Sequence, residues 1–321
     1  MTIAASPPGA SRRLRLPTLP RRRSRAGAGA RSARKDVPPL SPRLALIRGA
    51  LLLVCLLAVC LLAKLFVISG LEQRAAQQQA YDFLRGELAN GTAPIGPNDI
   101  KGHLLEPGSP VAYLEIPSIG LRQVIGEGTA SAQLFSGPGH RRDTPLPGQI
   151  GTSVVMGRRA AYGGPFASLD QLKRGDKVTV TTGQGKFTFT VRGVRRDGDP
   201  QPPALESGKA RLLLATAAGQ PFLPHGVLRV DADLDGKAVG GPPRLLTPTT
   251  LPKEEQLQQF DLTRVWALAF WLEAMVALAF GAVWAWHRWG RAQSWIVFLP
   301  PTLLVGLYVS NEAARMLPNL L

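Results

Sequence analysis

TSVVMGRRAAYGGPF, residues 152–166, is the stretch on which the fold turns. Its first five residues, Thr152–Met156, read as a short buried strand. The strand ends on Gly157 and delivers Arg158 and Arg159 to its rim. A turn-rich segment, 160–164, follows, and Pro165 and Phe166 open a helical pattern. A strand that ends on glycine and presents charged side chains at its rim is a common way to build a site.

Outward from this stretch, short β-type runs fill 111–234, separated by Gly and Pro. They are VAYLEI (111–116), LRQVIG (121–126), TSVVMG (152–157), DKVTVTT (176–182), KFTFTVRGV (186–194), ARLLLAT (210–216) and GVLRVDADL (226–234). Thr182-Gly183-Gln184-Gly185, between two alternating runs, signals a hairpin. Short helices are expected near 130–135 and 166–172. Seven or so short strands in about 125 residues predict a mainly β domain, a closed or nearly closed barrel.

The flanks are of a different kind. Net charge is +16, but residues 1–48 hold twelve Lys or Arg against the single acid Asp36. The basic balance is therefore a property of one end and not a nucleic-acid footprint. Residues 1–42, rich in Arg, Pro, Ser, Ala and Gly, are expected to be a disordered cytoplasmic tail. A first membrane helix is expected over 43–69, interrupted only by Lys64, which sits where it can snorkel. A juxtamembrane helix and linker (70–110) lead to the barrel (111–234), and a linker (235–261) leads away from it. A second apolar run, 262–286, has tryptophans toward its ends and Glu273 near its middle. HRWGR begins a short basic loop (287–293). A third run (294–310) contains Pro300-Pro301, a pair that kinks a membrane helix, and a C-terminal tail (311–321) follows. Charge asymmetry puts the N-terminus and the basic loop inside, and the barrel and tail outside, on a multi-pass cell-membrane protein. Glu273 faces another helix or Lys64, or is neutral and tucked against the neighbouring segment. A membrane-protein partner through Glu273 is one expectation.

Cys55 and Cys60 both lie in the first apolar run and read as small hydrophobes. The barrel thus has no disulfide and no thiol nucleophile. No His, Asp or Glu cluster has metal-ligand spacing, and TGQGKF is a turn, not a phosphate loop. No cofactor is expected.

The barrel resembles the sortase family of extracellular cysteine transpeptidases, in particular the actinobacterial class E and D-like members. LEIPSIGL (114–121), EGTASAQLFSGPGH (127–140), TPLPGQIGTSVVMGRRAAYGGPF (144–166), LDQLKRGDKVTVTTGQGKFTFTV (169–191) and RLLLATA (211–217) carry the likeness. It implies an eight-stranded closed barrel. It also implies cleavage of a cell-wall sorting signal by a Cys thiolate, with a His moving protons and an Arg aiding the oxyanion.

Against that pattern the reactive residues are replaced. Arg158 stands at the His position and stays protonated near neutrality, so it is no general base. Ala217 stands at the Cys position. Gly226 or Val227 aligns with the Arg position, with Arg229 two residues further on the same strand face as Val227. The expectation is a membrane-anchored, catalytically inactive sortase-like binding or assembly module at the cell surface. Arg158, Arg159, Tyr162, Thr216 and Arg229 are its candidate groove residues, and a peptide or cell-surface protein is its ligand. Plain solvent-facing arginines and a scaffold role are the simpler reading. The alternative is an active transpeptidase with another nucleophile, such as Thr216 or Ser168, served by His140 or His225. Of these, His140 in GPGH reads as structural and His225 as a loop residue.

Overall fold

A computed structural model describes residues 42–243, 245–259 and 264–321. The basic segment expected as a tail falls almost wholly outside these. The chain divides into two units, Met1–Ile47 and Arg48–Leu321. The barrel and most helical residues belong to the second.

Eight strands close the barrel among the described residues: β1 (Pro110–Ile116), β2 (Leu121–Glu127), β3 (Gly139–His140), β4 (Gly151–Met156), β5 (Lys177–Thr182), β6 (Gly185–Arg195), β7 (Ala210–Gln220) and β8 (Leu223–Leu234). Their order around the barrel is β1-β2-β3-β4-β7-β8-β6-β5. The strand that patterning misses is β3, whose two residues offer no alternation to read. The β5–β6 hairpin turns at the Gly-containing tetrad as expected. The segments expected as short helices are 3₁₀ turns, Gln133–Phe135 and Leu169–Gln171.

Alternation sorts the side chains between two faces. Leu114 and Ile116, Val178 and Val180, Phe187 and Phe189, Leu212 and Leu214, and Leu228 and Val230 fill the interior. Phe166, Leu169 and Leu172 from the segment after β4 pack against the same core. Truncating a fully buried core side chain such as Phe189 to Ala costs about 3–5 kcal/mol. On the opposite face of β4, β7 and β8 a second apolar cluster forms from Val154, Met156, Ala215, Ala217 and Val227.

The first membrane helix does not stop at the barrel. Helix α1 (Pro42–Ala63) passes through a π-helical segment, Lys64–Ile68, into α2 (Ser69–Asn90). Helix α2 is stapled to β2. Gln77 accepts from the Val124 N–H at 2.7 Å, and its amide donates to Val124 O and Ser136 O. Gln73 donates to Gln123 at 2.7 Å. Lys64 does not snorkel: it is buried, and its Nζ pairs with Glu72 at 2.6 Å. The π segment lets α1 and α2 differ in phase, a usual use of such bulges.

Helices α3 (Val265–Trp289) and α4 (Arg291–Arg315) meet at Gly290, a tighter junction than the expected loop. Helix α4 runs through Pro300 and Pro301. The Ile47–Asn90, Val265–Trp289 and Ala292–Arg315 helices are long and apolar enough to cross a membrane. Met275, Val305 and Val309 pack with Leu53, Leu57 and Trp271 between them. A Cβ on Gly306 would meet Cys60 Sγ at 3.0 Å, so glycine permits close approach of α4 to α1. Cys55 and Cys60 are both free. Among the described residues Lys64 pairs with Glu72 and not with Glu273, and Glu273 is not tucked between helices. It is exposed on α3 beside Leu272, Val276, Ala277 and Phe280.

Candidate functional site: a filled cleft on the barrel flank

Strands β4 and β7 run parallel, with Met156 opposite Ala215. Arg158 and Ala217 lie two residues beyond that pair, so both belong to the face of the second apolar cluster. The exit from β4 is tight. A Cβ on Gly157 would lie 2.6 Å from the Phe166 ring, which is why glycine ends this strand. The chain then reverses through Tyr162, Gly163 and Gly164, all with positive φ. At Gly164 a Cβ would stand 2.6 Å from Arg159 O. Just past Ala217 the β7–β8 register shifts, between Ala217 and Gly219. The extra residue lies on β8, and Ala218 keeps the alternation of Leu212 and Leu214 into the barrel core.

Arg158 is wholly buried. Its Nη2 donates to Ser131 Oγ at 2.5 Å and its Nη1 to Leu321 O at 3.3 Å. The guanidinium lies 4.8 Å from the Phe135 ring centre and 5.2 Å from that of Tyr162, and those two rings stack at 3.8 Å. Among the described residues no Asp or Glu side chain pairs with it, and its Nε has no partner. Burial pushes Arg158 down to about 10, with Tyr162 opposing the fall. Burial pushes Tyr162 up to about 12, with Arg158 opposing. The arginine is charged near neutrality, held by carbonyl, hydroxyl and π faces. The expected docking of an outside anion on a bidentate Arg158 does not match this geometry, nor does a solvent-facing arginine. Its donors are engaged inside the protein.

The other candidates separate. Arg159 bridges to Asp170 at 2.9 Å and lies 3.5 Å from Ala217 O, so it does flank the same strand end. Tyr162 packs with Ala161 and Ala314 and backs Arg158. Val227 is in the cleft cluster, opposite Ala217. Arg229 is turned to Asp197, which also accepts from the Val227 N–H. That pairing with Arg229 holds the Asp197 carboxyl below its usual range. Arg229 therefore anchors the loop after β6 through Asp197.

Thr216 points the other way, opposite Leu228 in the ladder, and its Oγ1 is buried without a partner. His225 lies not in a free turn but in β8, exposed, with Nδ1 against Leu223 O at 2.8 Å. The two do not form a nucleophile–base pair. His140 is buried, with Nδ1 2.9 Å from Glu127 and Nε2 3.0 Å from Pro145 O, which ties β3 to its neighbours. Among the described residues no group of three His, Cys, Asp or Glu side chains is placed to hold a metal ion.

The largest departure is the segment after α4, for which the sequence suggests only an outer tail over 311–321. Helix α4 instead continues to Arg315, and Met316–Leu321 enters the cleft. Leu320 is fully buried in the cluster of Met156, Ala215, Ala217 and Val227. Its carbonyl accepts from the Arg159 N–H at 3.1 Å. Asn319, also fully buried, donates from Nδ2 to Thr129 O at 3.0 Å and Gln256 O at 2.7 Å. The linker after the barrel forms the opposite wall. Glu255 is buried, pairs with Arg142, and its carbonyl accepts from Thr129 Oγ1 at 2.6 Å. Leu257 packs against the cluster. Sequence patterning singles out none of Ser131, Leu134, Phe135, Glu255, Asn319 and Leu320 as site residues. Only the apolar Leu320-Leu321 pair after a polar helix end hints at burial.

Eight strands closed in this order, with a site at the ends of β4 and β7, define the barrel class. Residues 114–221, about a third of the chain, match the family described as Sortase domain. Sortase D of Bacillus subtilis (strain 168) is 32% identical over 114 residues, covering 35% of this chain and 56% of that protein. The chain thus spans about half the length of this curated relative. The Sortase D5 transpeptidase structure of Clostridium perfringens aligns with TM-score 0.42 and 19% identity, over 50% of this chain and 99% of that one. Sortase E1 of Streptomyces coelicolor, solved with a tripeptide in the active site, aligns with TM-score 0.36 and 21% identity, over 41% and 91%. The family match, which spans both Arg158 and Ala217, supports the sortase family for the barrel.

Proposed function

We propose that this protein is a membrane-anchored, sortase-like binding module that holds a peptide at the cell surface without cutting it. In this reading the N-terminus is cytoplasmic and the barrel extracytoplasmic. One observation carries it. The cleft at the ends of β4 and β7 offers Arg158 and Ala217, and the described cysteines lie away in α1. Covalent acyl transfer needs a nucleophile and a base within hydrogen-bond reach. Thr216 faces the barrel interior without a partner, so it does not supply one. What the cleft does have is the equipment to hold a peptide: an apolar seat, backbone groups that pair with an entering chain, and a ring of carbonyls that reads an amide. A partner membrane protein meeting α3 at Glu273 belongs to the same reading, as an assembly role.

The test uses the chain shortened after Arg315, in detergent micelles, and a fluorescent sorting-signal peptide of the LPxTG type. Anisotropy is expected to rise on titration while the peptide mass stays unchanged. Leu134→Asp, on the cleft floor, is expected to abolish the rise. A peptide that is cleaved, with cleavage lost in Thr216→Ala, would support the active-transpeptidase alternative instead.

A further inference from the structure

We propose that Met316–Leu321 is a built-in ligand of the cleft, displaceable by a peptide of the same chemistry: an amide side chain followed by a leucine. The inference rests on the cleft being a peptide site and says what normally fills it.

Three features separate this segment from a tail that merely lies on the surface. First, recognition is side-chain specific. The Asn319 amide donates into a carbonyl cage drawn from two distant parts of the chain, Thr129 on the barrel and Gln256 on the linker. The Asn319 N–H adds a third tie, to Gln259 O at 3.1 Å. Second, Leu320 supplies the apolar plug over Ala217, at the position where the family's reactive atom would stand. Third, the buried charge is completed by the segment. Arg158 reaches Leu321 O directly, and it reaches Leu317 O through Ser131, whose Oγ lies 3.5 Å from that carbonyl. A guanidinium with no Asp or Glu partner is costly to bury unless its N–H groups find acceptors. With the segment gone, an incoming peptide's carbonyls would take over that task.

The segment is also placed to move. It is joined directly to α4, and Ala314 at the end of α4 packs against Tyr162, the residue that backs Arg158. A shift of α4 along its axis, as a partner in the membrane would produce, pulls Leu320 and Asn319 from their seats. Occupancy of the cleft is thereby coupled to the membrane helices, with Tyr162 and Arg158 on the path.

The test reads access to the cleft floor. Ala217→Cys is made in the full chain with Cys55→Ser and Cys60→Ser, and thiol labelling by a water-soluble maleimide is followed in detergent micelles. A second cysteine variant, Leu223→Cys, lies at an exposed site and reports general reactivity. A cleft filled about nine-tenths of the time labels about tenfold slower than an open one. The thiol introduced by Ala217→Cys is expected to label at least about tenfold slower in the full chain than in the chain ending at Arg315. Adding a synthetic peptide of residues 314–321 to the shortened chain is expected to restore protection. If the shortened chain does not fold, Asn319→Ala in the full chain gives the same readout and is expected to speed labelling. Equal labelling of full and shortened chains, or no protection by the added peptide, overturns the inference. Either result leaves the binding of sorting-signal peptides to be judged by its own titration. Conversely, protection by the 314–321 peptide without binding of an LPxTG-type peptide overturns the ligand class proposed above and keeps the built-in ligand.

Discussion

The backbone N–H of Arg159 donates to the carbonyl of Leu320 at 3.1 Å, between residues far apart in sequence. This bond joins the rim of the strand that decides the fold to the segment that follows the last membrane helix. Around it, one apolar side chain and one amide fill the space beside Ala217.

Leu320 buries its entire side chain, so its truncation opens a cavity in the cleft. Leu320→Ala is expected to lower stability by about 2–4 kcal/mol, toward the lower end if the tethered segment relaxes out of the site. Denaturant unfolding of the full chain in detergent measures this. A change within experimental scatter would show that Leu320 is not seated against the barrel.

The Glu255–Arg142 pair holds the linker wall. Both side chains are largely buried, and the Arg142 guanidinium is held above its usual range, chiefly by its hydrogen bond to Glu255. Glu255→Ala leaves Arg142 without its partner and is expected to cost about 3–5 kcal/mol. It should also make the 245–259 linker cleavable by added protease under conditions where the parent chain resists. An uncut linker would show that the wall is held by other contacts.

Arg158 and Tyr162 titrate against each other at alkaline pH. Burial lowers the arginine to about 10, so between there and its ordinary range the unfolded chain holds a proton that the folded one has lost. Stability from this group rises with pH through that window. Burial raises Tyr162 to about 12 from 10.0, so the folded chain keeps a proton that the unfolded one loses. A group whose folded pKa is raised contributes stability that is fully present below its unfolded value, so the Tyr162 contribution is constant below 10.0 and falls as pH rises from there toward about 12. The two effects oppose. Tyr162→Phe, which removes a hydroxyl that has no partner, is expected to gain stability relative to the parent as pH rises from 10.0 toward about 12. Arg158→Met is expected to lose it over the same range. Parallel pH profiles for parent and both variants would contradict the buried pair.

Glu273 stands exposed on an apolar helix face, a costly position in lipid. Glu273→Leu is expected to leave the unfolding midpoint of the purified chain unchanged and to abolish co-purification of a membrane partner. Co-purification that survives the substitution removes Glu273 from the interface.

Much of the barrel is legible in the sequence because its strands alternate. Phe187, Phe189 and Val191 announce β6, and the Gly-containing tetrad announces its hairpin with β5. Strand β3 is too short to show a period, and its pairing to β2 and β4 is fixed by neighbours on either side. Arg158 and Ala217 can be picked out from the family's motif order, but not their surroundings. The burial of Arg158 depends on Ser131, Phe135 and Leu321, which lie far from it along the chain. Long-range closure of this kind leaves no local signal. Lys64 misleads for a local reason. Its position suggests snorkelling, while a π turn aims it at Glu72.

Binding without chemistry, as proposed for this cleft, is open to one direct measurement. The direct measurement is mass spectrometry of protein and peptide after prolonged incubation of an LPxTG-type peptide with excess protein, for both the full chain and the chain ending at Arg315. An unchanged peptide mass and an unmodified protein mass are expected in both. A cleaved peptide, or a peptide adduct on the protein that disappears in Thr216→Ala, would contradict the proposal.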